Sequence, residues 1–186
     1  MLDRPKMASR ERFSVRNAVR RGPSFAEEVR QGLTSTPKSI PPRYFYDAMG
    51  SALFAAICEL PEYTLTRAEA AILHASAGAM VRSFGAPARV VELGSGDCHK
   101  SRILLEAILE RQPALTFIPI DVDGGVLESS ARELLASLPA LTIEAVCGDF
   151  RDVAEIVSPM HGRTVVLFLG STIGNLDPAS ASALLC

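Results

Sequence analysis

Apolar and polar positions along the second half of the chain follow the order expected for strands that alternate with helices. Short, almost wholly apolar runs predict four strands buried on both faces of a sheet. They lie at residues 89–93, 115–120, 141–146 and 164–169. Apolar residues at helical spacing predict connecting helices at 99–111, 125–137 and, more briefly, near 150–157. This alternation predicts an α/β fold with a parallel, doubly wound sheet and right-handed crossovers.

Two capping boxes predict helix starts in the first half of the chain. In such a box a Ser or Thr caps the helix and a Glu three residues later reaches back to it. Ser24 with Glu27 opens a short helix, and Thr66 with Glu69 opens one that runs to about Phe84.

The stretch between the two boxes predicts a linker and a third helix. Three prolines within residues 34–43 exclude regular structure there. The helix after residue 48 is expected to turn Leu53, Phe54 and Ile57 inward. We therefore divide the chain into a leader (1–23), a helical segment (24–86) and an α/β domain (87–186).

Charge is distributed unevenly along a chain whose composition is otherwise that of an ordinary globular protein. Hydrophobic residues make up 48%, charged residues 22%, and the net charge is −2. The leader holds seven basic and two acidic residues, which predicts a solvated, disordered terminus. The balance gives no general footprint for nucleic acid, and no apolar run approaches the ~18 residues of a membrane span.

The four cysteines lack any C-x-x-C spacing, and the three histidines lie far apart. They predict free thiols in a reducing, cytoplasmic location, with neither a disulfide framework nor a metal site. The oligomeric state is not indicated.

An acidic residue and two glycines end the first strand, in Glu92-Leu93-Gly94-Ser95-Gly96. Glycine lets the backbone turn sharply and approach a ligand that a Cβ would exclude. A strand, a glycine turn and a helix form the layout of a nucleotide site. His99 stands where the dinucleotide fingerprint needs a third glycine, which argues against a nicotinamide cofactor. The spacing instead resembles motif I of S-adenosylmethionine-dependent methyltransferases; a strand end without a ligand is the alternative.

Polar residues also follow the other three strands. Asp121 can accept hydrogen bonds from both hydroxyls of a ribose, whereas Asp123 fits a helix N-cap. Asp149 and Phe150 suit an adenine, since the carboxylate accepts from the exocyclic amine and the ring packs on its face. Asn175 can donate and accept, which fits the ammonium or carboxylate of an amino acid.

Six segments together resemble the histidine Nα-methyltransferase family of ergothioneine biosynthesis, from about residue 25 to the end. They are Y-F-Y-D-A-M-G-S-A-L-F, L-P-E-Y-T-L-T-R-A-E, V-V-E-L-G-S-G-D-C-H-K-S-R, F-I-P-I-D-V-D, C-G-D-F and F-L-G-S-T-I-G-N-L. The resemblance implies a Rossmann-like class I methyltransferase fold. The residues that it implies for S-adenosylmethionine are Gly94, Lys100, Asp121, Asp149 and Phe150. It further implies that Tyr63 and Asn175 hold a histidine and that Tyr46 lies near its amine as a proton relay.

The reaction implied is the stepwise methylation of the α-amine of L-histidine, a small-molecule substrate, to trimethylhistidine (hercynine). Two alternatives stay open: an enzyme of the same family for another amino acid, such as an aromatic one, and an inactive cofactor-binding fragment. Thr64 departs from the second tyrosine expected after Tyr63. The resemblance also implies further strands and a substrate lid beyond residue 186. It therefore implies that residues 24–86 lie on the substrate side and that residues 87–186 are an incomplete S-adenosylmethionine-binding domain. We expect a sheet cut after about four strands, and a chain that is inactive alone.

Overall fold

A computed structural model of the protein describes residues 12–18, 23–153 and 162–185. Its centre is a five-stranded sheet in which all neighbouring strands run parallel. The strands are β1 (Phe13–Asn17), β2 (Arg89–Leu93), β3 (Leu115–Asp121), β4 (Leu141–Cys147) and β5 (Thr164–Leu167). Their order across the sheet is β1-β4-β3-β2-β5. The predicted α/β class with a parallel sheet is confirmed.

Six α-helices are present among the described residues. They are α1 (Phe25–Thr34), α2 (Ala48–Cys58), α3 (Leu65–Phe84), α4 (His99–Leu109), α5 (Gly124–Ser137) and α6 (Pro178–Leu185). Helices α4 and α5 connect successive strands, as the sequence predicts. A 3₁₀ turn, Phe150–Asp152, stands where a helix near 150–157 is predicted, and residues 154–161 lie outside the described part.

The core has two layers because neighbouring residues of a strand point to opposite faces of the sheet. Val90 and Phe117 pack on one face against α3, α4 and α5. Val91 and Ile118 pack on the other face, where Phe168 is one of the side chains that cover them. Each fully buried apolar side chain contributes about 1.5–3 kcal/mol to the stability of the fold. The strands therefore give the residues at their carboxyl ends a stable support.

The prediction of a disordered leader is wrong for residues 13–17, which form strand β1. It pairs with β4 in parallel, with Phe13 opposite Ile143. The Arg12 guanidinium donates to backbone carbonyls at the end of α5 and the start of β4, including those of Leu135 and Leu141. The strand is mostly exposed and half polar, so it lacks the apolar run that marks a buried strand. The sheet therefore has five strands where four are predicted; residues 1–11 and 19–22 lie outside the described part.

Two details of the helical segment also differ from expectation. Ser24 and Glu27 do form the predicted capping box. The prediction of the second box is wrong. Helix α3 begins at Leu65 without a side-chain cap, and the Glu69 carboxylate accepts hydrogen bonds from Lys100 and Gly170. The inward face predicted for α2 is also wrong, since its apolar side chains are exposed. They include Leu53 at 59%, Ile57 at 42% and Phe54 at 39%.

Cys58, Cys98 and Cys147 are free thiols, as predicted, and Cys186 lies outside the described residues. In that part of the chain, no helix combines the length and apolar character needed to cross a membrane. Nor do the same residues contain a group of three or more His, Cys, Asp or Glu side chains placed to hold a metal ion.

Candidate active site

The glycine turn after β2 has the backbone that the motif predicts. Gly94 and Gly96 have φ values of +66° and +52°, in the left-handed region that favours glycine. The amides of Gly94 and Ser95 donate to the carbonyl of Ile120 at 2.9 and 3.0 Å, which anchors the turn to β3. A Cβ added to Gly94 would lie 3.3 Å from Cγ2 of Thr172. The turn thus faces the loop after β5 at close range.

Asp123 caps α5, as predicted, and Asp121 makes different contacts. The Asp121 carboxylate ends β3 and accepts from the amide of Gly96 at 2.9 Å, so it contacts the glycine turn directly. Burial is the main cause that raises its pKa, against opposing backbone hydrogen bonds. Asp123 instead caps α5 and accepts from the amides of Gly125 and Val126. Asp121 is therefore the carboxylate at the sheet edge.

Two buried polar atoms beside the turn, Glu92 Oε2 and Ser95 Oγ, have no hydrogen-bond partner among the described residues. Burial raises the pKa of Glu92 to about 8, against the opposing effects of Ser101 and Lys100. Unpaired buried polar atoms are rare in native proteins, and each calls for a ligand, a water or another explanation. Together with the glycine turn, where a Cβ on Gly96 would meet nothing within 4 Å, they fit a ligand that carries polar groups, such as the amino-acid portion of S-adenosylmethionine.

Asp149 follows β4 and is bound by arginine. Arg151 donates to both of its oxygens, at 2.5–3.0 Å, and Nε of Arg43 lies 3.7 Å from Oδ2. Burial opposes ionisation of this carboxyl, but the hydrogen bonds from Arg151 and the two positive charges outweigh it and lower its pKa. Asp149 is thus ionised and paired, and a ligand amine would share it with the arginines.

Phe150 follows Asp149 in the sequence and is predicted, together with it, to contact an adenine. Its ring packs against Phe168, with ring centroids 5.3 Å apart. Its Cδ1 is 3.9 Å from the position that a Cβ on Gly94 would occupy. The structure therefore brings this predicted adenine contact next to the glycine turn.

Lys100 in the first turn of α4 has a partner that sequence reasoning missed. Its Nζ lies 2.7 Å from Oε2 of Glu69 on α3. Oε1 of the same carboxylate accepts from the amide of Gly170, after β5, at 2.6 Å. The signal was present, since Glu69 belongs to the segment L-P-E-Y-T-L-T-R-A-E, but its spacing from Thr66 suggested a cap.

The residues predicted to contact the substrate form two groups. A 3₁₀ turn, Thr172–Asn175, makes a lip beside the glycine turn, with Asn175 exposed at its end. Tyr46 and Tyr63 both contact the ring of Phe54 edge-on, at centroid distances of 6.0 and 6.2 Å. The two predicted tyrosines therefore lie on one aromatic cluster, Tyr46–Phe54–Tyr63.

Comparison with known proteins assigns the chain to a family. A model of histidine-specific, SAM-dependent methyltransferases matches residues 25–186. A histidine N-alpha-methyltransferase of Mycolicibacterium smegmatis is 49% identical over 156 residues, which cover 84% of this chain and 48% of the relative. One from Mycobacterium tuberculosis is 46% identical over 83% of this chain and 48% of its own length.

A third relative is the ergothioneine biosynthesis protein 1 of Schizosaccharomyces pombe, 28% identical over 86% of this chain and 22% of that protein. The chain spans about half the length of the two mycobacterial relatives. Because the family model covers all but the first 24 residues, the chain belongs to the histidine-specific, S-adenosylmethionine-dependent methyltransferase family.

Proposed function

We propose that the protein methylates the α-amine of L-histidine with S-adenosylmethionine as donor, and so catalyses the first step of ergothioneine biosynthesis. Three successive transfers give trimethylhistidine. The observation that carries this proposal is the glycine turn, whose positive φ angles and contact with the Asp121 carboxylate suit close approach of a nucleoside ligand. The choice of histidine is supported by the family match and by the two mycobacterial relatives.

Five residues at the sheet edge are proposed to hold the donor. Gly94 has no side chain, so the donor can approach the backbone there. Asp121 accepts hydrogen bonds from the ribose hydroxyls. Asp149 accepts from the adenine amine while Phe150 packs on the ring, and Lys100 pairs with the carboxylate of the donor. The bound donor supplies a methyl group that its sulfonium has already activated, so we expect no metal to take part. Alignment of amine and methyl is then the main task of the protein, and it can contribute up to about 7–11 kcal/mol.

Tyr63 and Asn175 are proposed to hold the histidine, with Tyr46 close to its amine. The amine must lose a proton before each transfer because an ammonium has no lone pair to attack the methyl group. Tyr46 shares the Phe54 ring with Tyr63, which supports a role as proton relay beside the substrate. Asn175 ends the lip whose Thr172 lies close to Gly94, which supports a histidine site next to the donor site.

The remaining features suit a small-molecule enzyme of the cytoplasm. Free thiols at Cys58, Cys98 and Cys147 are typical of a reducing compartment. A net charge of −2 offers no general footprint for nucleic acid.

Mass spectrometry of the reaction products tests the proposed function. We would join this chain to the second half of the Mycolicibacterium smegmatis relative and incubate the chimera with histidine and S-adenosylmethionine. Mono-, di- and trimethylated histidine are expected, and a Gly94→Ala chimera should form much less. Asn175→Ala should raise the KM for histidine more than that for the donor.

Two outcomes would contradict this account. Methylated tryptophan without methylated histidine, when both amino acids are supplied, would favour an enzyme for an aromatic substrate. A chimera that binds S-adenosylhomocysteine but methylates neither would favour a cofactor-binding module without this activity.

A further inference from the structure

We propose that Glu69 is a positioning residue that holds the Lys100 ammonium against the donor site and ties it to the substrate lip. This inference rests on the proposed function and deepens it, because it names the group that aims the donor-binding lysine. Glu69 lies on α3, outside the glycine motif and outside the lip.

The contacts of Glu69 use both oxygens of its carboxylate. Oε2 accepts from Nζ of Lys100 at 2.7 Å, and Oε1 accepts from the amide of Gly170 at 2.6 Å. The side chains of Glu69 and Lys100 are each 23% exposed, so the pair is only partly screened by water. One carboxylate therefore joins three elements: α3, the first turn of α4, and the loop after β5.

Gly170 makes room for the ammonium. Its φ is +78°, and a Cβ at this position would lie 2.8 Å from Nζ of Lys100, closer than a Cβ atom approaches a non-bonded heavy atom. The absence of a side chain at residue 170 thus lets the ammonium sit directly against the backbone of the loop. Its orientation is set by the short contact with Glu69 on α3.

A lysine ammonium has three N–H donors, and Glu69 accepts from one of them. Among the described residues no other acceptor binds Nζ, which leaves two N–H groups for an anionic group such as the carboxylate of the donor. Lys100 has a flexible four-carbon stem whose rotamer freedom is costly to restrict when a ligand binds. Glu69 restricts it in advance, so the ligand meets an ammonium that is already aimed.

Glu69 also couples the donor side to the substrate side. Gly170 precedes the Thr172–Asn175 lip by two residues, and Thr172 is the residue that faces Gly94 across the turn. A hydrogen bond from the Gly170 amide to Glu69 therefore fixes the base of the lip with the same carboxylate that fixes Lys100.

The substitution Glu69→Gln tests this role with little change of shape. A carboxylate accepts on both oxygens, whereas an amide accepts on one and donates on the other side. In either orientation the amide NH₂ would face a second donor, Lys100 Nζ or the Gly170 amide. We would titrate S-adenosylhomocysteine calorimetrically into the 186-residue chain, into Glu69→Gln, Lys100→Met and the double variant, and into Glu128→Gln. Glu128 pairs with Arg132 on the exposed surface of α5 and serves as the matched control.

We expect Glu69→Gln to weaken binding about tenfold or more, as the loss of a hydrogen bond to a charged group does. The double variant should bind as weakly as Lys100→Met alone, because Glu69 acts through Lys100. Glu128→Gln should match the parent chain.

Each other result decides against the proposal. Unchanged affinity in Glu69→Gln, or losses that add in the double variant, would mean that Glu69 does not act through the lysine. A Glu69→Gln chain that loses its circular dichroism signal of folding would assign Glu69 a structural role. A parent chain that does not bind S-adenosylhomocysteine would overturn the proposed function and this inference together, whereas failure of the Glu69 variants alone would leave the proposed function intact.

Discussion

The sheet region (residues 89–147) and the first part of the helical segment (residues 24–64) are built in opposite ways. In the sheet region, β2, β3 and β4 bury most of their side chains on both faces. In the helical segment, α1 and α2 have no buried residue, and large apolar side chains such as Met49 and Leu53 are exposed. The proposed donor residues lie in the sheet region or directly after it, whereas Tyr46 and Tyr63 lie in the helical segment. The proposed donor part of the site is thus supported by the better-buried framework.

Polar contacts link the two regions. Arg43 pairs with Glu28 on α1 and lies 3.7 Å from Asp149 at the end of β4. Exposed ion pairs contribute little to stability, about 0–1 kcal/mol, but these side chains are mostly buried, at 14–18% exposure. The helical segment is therefore held over the sheet edge through a carboxylate that is itself a proposed donor contact.

The stability of the two regions should respond very differently to the same truncation. Phe117 in β3 is fully buried and Phe45 is 65% exposed. Phe117→Ala should cost about 3–5 kcal/mol of unfolding free energy, because it removes buried area and leaves a cavity. Phe45→Ala should change it by less than about 0.5 kcal/mol. Urea denaturation measures both, and equal losses would break the contrast between the regions.

Asp121 and Asp123 offer a second contrast, within the sheet region. Asp121→Asn should weaken S-adenosylhomocysteine binding by about 10- to 150-fold, as expected for about 1.5–3 kcal/mol from a hydrogen bond to a charged group. Asp123→Asn should leave it nearly unchanged, since Asn caps a helix about as well as Asp. Calorimetric titration measures the two affinities, and the opposite ranking would show that the wrong carboxylate has been chosen.

Glu92 should make the stability of the sheet region depend on pH. Burial raises its pKa in the folded protein to about 8, from an ordinary 4.5. Between these values the unfolded state is ionised while the folded state keeps its proton. The contribution of Glu92 to the free energy of unfolding should therefore be greatest below pH 4.5. It should fall by up to about 1.4 kcal/mol per pH unit between pH 4.5 and pH 8.

Urea denaturation at intervals from pH 5 to pH 8 measures this slope. Glu92→Gln should remove most of it, and a contribution from Asp121, whose pKa is also raised by burial, would have the same sign. Glu62→Gln, at an exposed position of the helical segment, should keep the slope of the parent chain. A parent chain with no slope would mean that Glu92 is solvated in the folded state.

The fold could be predicted from sequence wherever burial is local and two-sided. The apolar runs of β2, β3 and β4 and the helical spacing of α4 and α5 each contain their own signal. Strand β1 does not, because residues such as Ser14 and Arg16 are polar and exposed. Its strand conformation depends on pairing with β4, more than 120 residues away in the chain, which no local pattern reports.

The candidate site could be predicted where chemistry and strand ends coincide. The Gly94 turn, the Asp121 carboxylate and the Asp123 cap follow from their positions after strands. Glu69 could not be assigned, because a Thr followed three residues later by a Glu satisfies the capping pattern equally well. Its true partners, Lys100 and Gly170, are 31 and 101 residues away.

Calorimetric titration of S-adenosylhomocysteine into the parent chain and its Gly94→Ala variant tests the central claim, that the sheet edge holds the donor, most directly. A Cβ at Gly94 costs about 1–2 kcal/mol in the left-handed region and also blocks the approach to the backbone. Gly78→Ala is the matched control, since a Cβ there meets only the guanidinium of Arg82 at 3.7 Å. The account predicts binding by the parent and by Gly78→Ala, and at least roughly tenfold weaker binding by Gly94→Ala. Equal affinity of Gly94→Ala and the parent chain would contradict it.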